Sequence, residues 1–387
     1  MPISRRQFNA ALAGSITGGA LASTLPHAAQ AATYRGPNVI LVRFGGGVRR
    51  TETIEPKTSF APFLLNVLAK RGVLIPNLTI AELKGVDTSH AEGTLNLLTG
   101  RYKSYEKVGA RGLAPLLEPS QPTLFEYLRK SFDIPSHQAL LVNGEDRPQE
   151  EYLTYGGHGH YGIAYRSEVL GLYRYKLHRF ARILREGKGA DAELAKAKKD
   201  YAELQSRDYR GTAEKQSPAM ERFWDLWRAH HGDDPFRFPR GDRLLTQLGI
   251  WALKDLKPRL MMINYQDPDY VHWGNPSHYT RAISVIDQGL QQLTTAVEAD
   301  PEYRDRTVFV IVPDCGRDAN PLMSVPFQHH FNSRSAHEIF ALLWGPGIDK
   351  GRALDKPVDQ TSLAATIGAI MGFKPDAEGR PLSEIFA

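Results

Sequence analysis

At 387 residues, 42% of them hydrophobic, the chain can build one large α/β domain with an insertion, or two domains, and no internal run is apolar enough to span a bilayer. Its formal net charge of +5 is spread over interspersed signs, which argues against nucleic acid as a partner. Cys315 is the single cysteine, which excludes an intrachain disulfide.

Ser4-Arg5-Arg6-Gln7-Phe8 precedes a mildly apolar Gly/Ala-rich stretch and the small-residue signal Ala29-Gln30-Ala31. This resembles a leader read by the twin-arginine export machinery and cut near Ala31, which predicts a periplasmic or secreted protein with no membrane span after cleavage. Loss of Arg5 and Arg6 with no acidic residue takes +5 to +3. The mature domain is then expected over 32–387.

Asn38 to Val42 reads as a buried strand running into Gly45-Gly46-Gly47-Val48-Arg49-Arg50. Glycines there let backbone approach an anion, with Gly46, Gly47 and Arg49 as candidate substrate contacts, although a tight turn is the plainer reading of the glycines alone. The Gly-Lys-Ser/Thr ending of a P-loop is missing. A helix is predicted over 61–71 and a strand over 73–80. Thr88, Ser89 and His90 stand just before a small-residue helix, where free amides suit an anion or a nucleophile; ordinary N-capping is the plainer reading. Another helix is predicted from Pro122 to Lys130 and a strand from Ala139 to Val142. His158 and His160 lie in a glycine loop that is a weak metal candidate. From about 165 to 256 the chain is charged and helical, and is expected to form an inserted cap.

The stretch from Arg259 to Asp318 organises the rest. Leu260 to Ile263 and Thr307 to Val312 are short continuous apolar runs, as expected of strands buried on both faces of a parallel sheet. Ala282, Ile283, Ile286, Leu290 and Leu293 recur at helical spacing between them. Each strand empties into an acidic loop: Asp267, Asp269 and His272 after the first, Asp314 and Cys315 after the second. Ligands of open α/β sheets sit at strand carboxyl ends, so both loops should face one crevice and form a metal-assisted hydrolytic site. Arg317, and the pair His329-His330 before a last core strand over 338–344, complete the candidates. A helix over 361–371 closes the domain.

Four blocks together resemble the alkaline phosphatase superfamily in its sulfatase-like and phosphodiesterase-like branches: Asn38 to Gly47; Ala91 to Tyr102, with Leu-Leu-Thr-Gly-Arg-Tyr; Asp269 to Asp287; and Val310 to Gly347. The resemblance implies a three-layer α/β sandwich with a mostly parallel central sheet. It also implies one or two divalent ions, zinc above all and calcium as in sulfatases, and a nucleophile at a helix N-terminus. Asp269, His272 and a histidine of the 329–330 pair, His330 in the first place, would hold one ion; Asp314 and Cys315 would help to hold the other. Arg43, Arg49 or Arg317 would neutralise the anion of a small phosphate or sulfate ester.

Three positions depart from the family pattern. Gly45 stands where its first metal aspartate is expected, Cys315 where a histidine follows the aspartate, and His90 at the nucleophile position. The formylglycine route of ordinary sulfatases needs a cysteine before the helix, and the chain has none there. An exported metal-dependent ester hydrolase leads, with a non-catalytic binding or scaffold protein and a phosphoryl-type transferase as alternatives on the same fold.

Overall fold

The computed structural model describes residues 33–387 except 82–84, 112–113, 145–147, 157–158, 209, 211–215, 233–238, 321, 323–324 and 330–332. The stretch expected to be a twin-arginine leader, His158 and His330 therefore lie outside the described residues.

The strands are β1 (Asn38–Arg43), β2 (Val73–Thr79), β3 (Tyr105–Arg111), β4 (Ala114–Pro119), β5 (Ala139–Val142), β6 (Glu168–Leu170), β7 (Leu260–Asn264), β8 (Thr307–Val312), β9 (Glu338–Trp344), β10 (Arg352–Ala353) and β11 (Val358–Asp359). Nine of them form one sheet in the order β10-β2-β9-β8-β1-β7-β5-β6, with β11 also on β2, while β3 and β4 pair as a separate hairpin. All pairs in the large sheet are parallel except the two made by β9. Every residue of β1, β7 and β8 is buried, which is why these segments are continuously apolar rather than alternating.

The longer helices are α1 (His90–Thr99), α2 (Leu124–Phe132), α3 (Leu172–Glu186), α4 (Asp191–Gln205), α5 (Pro218–His231), α6 (Gly241–Asp255), α7 (Pro276–Ala299) and α8 (Ser362–Met371). Strand side chains alternate between two cores. Val39, Leu41, Met262 and Val310 meet α1, α2 and α8 on one face; Ile40, Val42, Ile263 and Ile311 meet α5, α6 and α7 on the other. The result is the helix–sheet–helix sandwich expected. Each fully buried Ile, Leu or Val contributes about 1.5–3 kcal/mol over leaving it exposed.

The expected helix over 61–71 forms with Leu64–Leu68 wound as a π-helix, where the buried carboxylate of Asp287 on α7 accepts the amides of Phe63 (2.9 Å) and Leu64 (2.8 Å). The stretch anticipated as a helical cap divides. Its first residues make edge strand β6, α3 and α4 pack on each other around Tyr173, Leu177 and Leu204, and α5 and α6 join the core with Trp224, Trp227, Leu245 and Leu248. Tryptophan pairs and helical spacing look the same in a cap and in a sandwich layer, so only the packing separates them.

Register places the site. Arg43 at the end of β1 lies level with Asn264 on β7 and with Val312 on β8. Three parallel strands thus end together, and the loops 44–49, 265–275 and 313–320 open on one rim. Helix α1 starts at the same rim. Gly93 in its first turns permits that approach, because a Cβ there would meet the Asp314 carbonyl oxygen at 2.4 Å.

Candidate functional site

Asp269 is the hub of the β7 loop. Its Oδ1 lies 2.6 Å from His90 Nε2, 3.1 Å from His272 Nε2 and 3.3 Å from His329 Nε2. Asp269, His272 and His329 each offer one ligand atom, all within 4.8 Å of one another. His329 Nδ1 lies 2.9 Å from the Thr88 carbonyl oxygen, so the ring donates there and turns the Nε2 lone pair inward. A carboxylate and two imidazoles, one held by an outer carbonyl, are a donor set suited to zinc or a similar divalent ion. Asp267, two residues earlier, points elsewhere: its Oδ2 accepts the Asp242 amide at 3.2 Å, while the Asp242 carboxylate accepts the amides of Gln266 and Asp267, both at 2.9 Å. That reciprocal pair fastens α6 to the β7 loop.

Asp314 ends the β8 strand side of the site and is fully buried. Its Oδ1 accepts the amides of Cys315 (2.9 Å) and Gly47 (3.2 Å), and its Oδ2 accepts from His90 Nδ1 at 2.7 Å. The Arg43 guanidinium stands 3.5 Å from the same Oδ2. Burial would push the Asp314 carboxyl up, but the charges of His90 and Arg43 outweigh it and hold the group well below the usual carboxylate range. His90 thus bridges Asp314 and Asp269 through its two ring nitrogens. Burial opposes its charge, and the pairing with Asp314 more than compensates, raising it above an ordinary histidine. Cys315 Sγ lies 4.0 Å from His90 Nδ1, and burial followed by the Asp314 charge pushes its thiol up. His90, Cys315 and His329 form a second set of donors within 4.8 Å, sharing His329 with the first.

The candidate anion contacts are differently employed. Gly46 and Gly47 adopt positive φ, +83° and +69°, and present their carbonyls to Arg317 while the Gly47 amide is taken by Asp314. Arg317 is fully buried and donates to the carbonyls of Gly46, Gly47, Pro268, Val271 and Phe327, which makes it a clamp on three loops instead of a substrate contact. Arg49 is partly buried over the Phe327 ring and pairs with Glu52 through two bonds of 2.7 and 2.9 Å. Its amide donates to the Tyr279 hydroxyl at 2.9 Å.

Around the helix start, Thr88 is buried and donates its hydroxyl to the His329 carbonyl. Ser89 is the N-cap of α1, its Oγ accepting the Glu92 amide at 3.2 Å. His160 is exposed. Spacing gave no sign of Glu150 or Thr94, both buried and both partners of Arg43, at 3.1 and 2.7 Å. Glu150 sits in a short 3-10 helix, Pro148–Thr154, and nothing in the sequence there distinguishes a buried carboxylate from a solvated one.

Glu92 in the first turn of α1 has its carboxyl pushed up to about 7, by burial first and by Asp87 next. A carboxyl raised in the folded state binds its proton there at pH values where the unfolded chain has released it. Its contribution to stability is therefore present below the unfolded value and declines as pH rises toward 7. Glu92→Gln should flatten that decline: denaturant midpoints measured from pH 4.5 to 7 should fall less steeply than in the parent. Parallel slopes would refute the assignment.

No family model matches the chain, and a search of curated proteins found no match. Solved structures are. The alkaline phosphatase PafA aligns with a TM-score of 0.57 at 10% identity over 91% of this chain and 99% of its own. BT1596, a 2-O GAG sulfatase, gives 0.54 at 12% identity over 90% and 74%. The lipoteichoic acid synthase LtaP from Listeria monocytogenes gives 0.51 at 11% over 97% and 80%. With its mostly parallel sheet, its two helical layers and its acidic loops at the strand ends, the chain has the fold of the alkaline phosphatase superfamily.

Proposed function

We propose that the protein is a metal-dependent hydrolase of phosphate or sulfate esters, exported through the twin-arginine pathway. The observation that carries the reading is the convergence of His272, His329 and His90 on Asp269 Oδ1 at the carboxyl ends of β1, β7 and β8. Asp269, His272 and His329 would hold one divalent ion; two imidazoles favour zinc over calcium, which prefers oxygen ligands. Such an ion supplies Lewis-acid polarisation of the ester oxygen.

The chain's own residues do the rest. The amides at the start of α1 favour a bound anion. Thr88 and Ser89 spend their hydroxyls on the His329 carbonyl and on the helix cap region. That leaves His90, held by Asp314, as the group that would exchange a proton with substrate or water at Nε2 when Asp269 turns its Oδ1 from that nitrogen to the ion. Tyr270 and Trp273, 61% and 68% exposed on either side of His272, offer apolar faces to the organic part of the ester.

A second reading, a ligand-binding protein without turnover, is favoured by one feature: both nitrogens of His90 are engaged by carboxylates. Zinc-, manganese- and calcium-reconstituted protein assayed with 4-nitrophenyl phosphate, bis(4-nitrophenyl) phosphate and 4-nitrophenyl sulfate separates the two. Release that Asp269→Asn abolishes supports the hydrolase. Metal-loaded protein inert toward all three moves the binding reading ahead.

A further inference from the structure

We infer that Arg43 is a built-in cation at the Asp314 pole of the site, and that the protein holds one divalent ion only, at Asp269, His272 and His329. The inference shares that ion with the proposed function but concerns a different set of residues.

The argument is one of occupancy. A carboxylate offers about four lone-pair positions. At Asp314 three are taken, by the amides of Gly47 and Cys315 on Oδ1 and by His90 Nδ1 on Oδ2, and the Arg43 Nη1 cation stands 3.5 Å from Oδ2 on the remaining side. An ion bound to Asp314 would have to displace a hydrogen bond or stand against the Arg43 charge. Arg43 is held against displacement, since the same Nη1 reaches Thr94 Oγ1 at 2.7 Å and Glu150 Oε2 at 3.1 Å, with Arg43, Glu150 and Asp314 no more than 1% exposed. A guanidinium keeps its charge at any working pH, and moving it away would remove the positive charge that the buried Asp314 and Glu150 carboxylates share.

Nor can the β1 loop contribute a further carboxylate. A Cβ on Gly45 would meet the Tyr265 carbonyl oxygen at 2.0 Å and Arg43 Nε at 2.9 Å. The donor set His90, Cys315 and His329 does not rescue a second ion, because His329 Nε2 already belongs to the Asp269 cluster and His90 Nδ1 is bound to Asp314. Arg43 therefore acts as a positioning residue: it fixes Asp314, and through Asp314 the ring of His90.

The test is ion stoichiometry, read by elemental mass spectrometry after the full chain has been stripped with chelator and dialysed against zinc. The wild type and Asp314→Asn should each retain one zinc per chain, and Asp269→Asn none. Arg43→Ala, which uncovers the Asp314 and Glu150 carboxylates beside the Thr94 hydroxyl, should take up a second ion, a gain that misfolding does not imitate. Two ions in the wild type, loss of the ion in Asp314→Asn, or a folded Arg43→Ala variant that stays at one would overturn the inference and leave the hydrolase reading standing. No ion in the wild type would remove the metal centre of the proposed function together with this inference. Should Arg43→Ala not fold, the wild type and Asp314→Asn still decide.

Discussion

Arg317→Met is expected to cost about 3–5 kcal/mol of stability, the range for removing one partner from a buried charged network. The side chain is fully buried, and its guanidinium satisfies carbonyls of Gly46, Gly47, Pro268, Val271 and Phe327. Methionine fills similar volume but donates nothing, so these acceptors would lose their partner at once. The same loops carry Asp269, His272 and His329, and zinc affinity should fall along with stability. Arg317→Lys should not restore either property, because an ammonium cannot reproduce a planar fork that spans three loops. Urea denaturation and a zinc titration of the two variants provide the check. A midpoint close to the parent's would show that the clamp is dispensable and would return Arg317 to the role of an anion contact.

For Asp269→Asn the expected result is a loss of zinc affinity of at least about 100-fold, since even outer partners of metal ligands cost 10–100-fold. Turnover of any ester substrate should fall in parallel. The change is nearly isosteric, and the residue is 12% exposed, so the fold should survive and circular dichroism should match the parent. Three imidazole nitrogens face its Oδ1, and an amide placed there removes the charge that gathers them. If the variant binds zinc as tightly as the parent, Asp269 is not a ligand and the centre lies elsewhere. The comparison with Asp314→Asn is informative, because the two aspartates look alike in the sequence, each in the loop after a buried strand, yet their surroundings give them opposite expectations for the ion.

That contrast shows what residue order can and cannot carry. The runs Leu260 to Ile263 and Thr307 to Val312 announced central parallel strands because a strand buried on both faces has no polar alternation to maintain. The spacing of Ile283, Ile286, Leu290 and Leu293 announced the crossover helix between them, since one face of a helix must meet the sheet. From these elements the sandwich, the acidic loops at the strand ends and the histidine at the start of α1 follow from sequence alone.

Partner choice at the rim belongs to the tertiary structure. Arg43, Arg49 and Arg317 all read as cations near a glycine turn; one sits between buried carboxylates, one pairs with Glu52, and one clamps carbonyls. Asp267 and Asp269 are two residues apart, and a short helical turn directs one to the Asp242 amide of α6 and the other to three histidines. Of the pair His329-His330, His329 is the described residue, and its imidazole reaches Asp269. Local periodicity records which face of an element is buried, because burial repeats along the element. It does not record which charge a loop side chain meets, because that partner comes from a distant segment brought level by strand register.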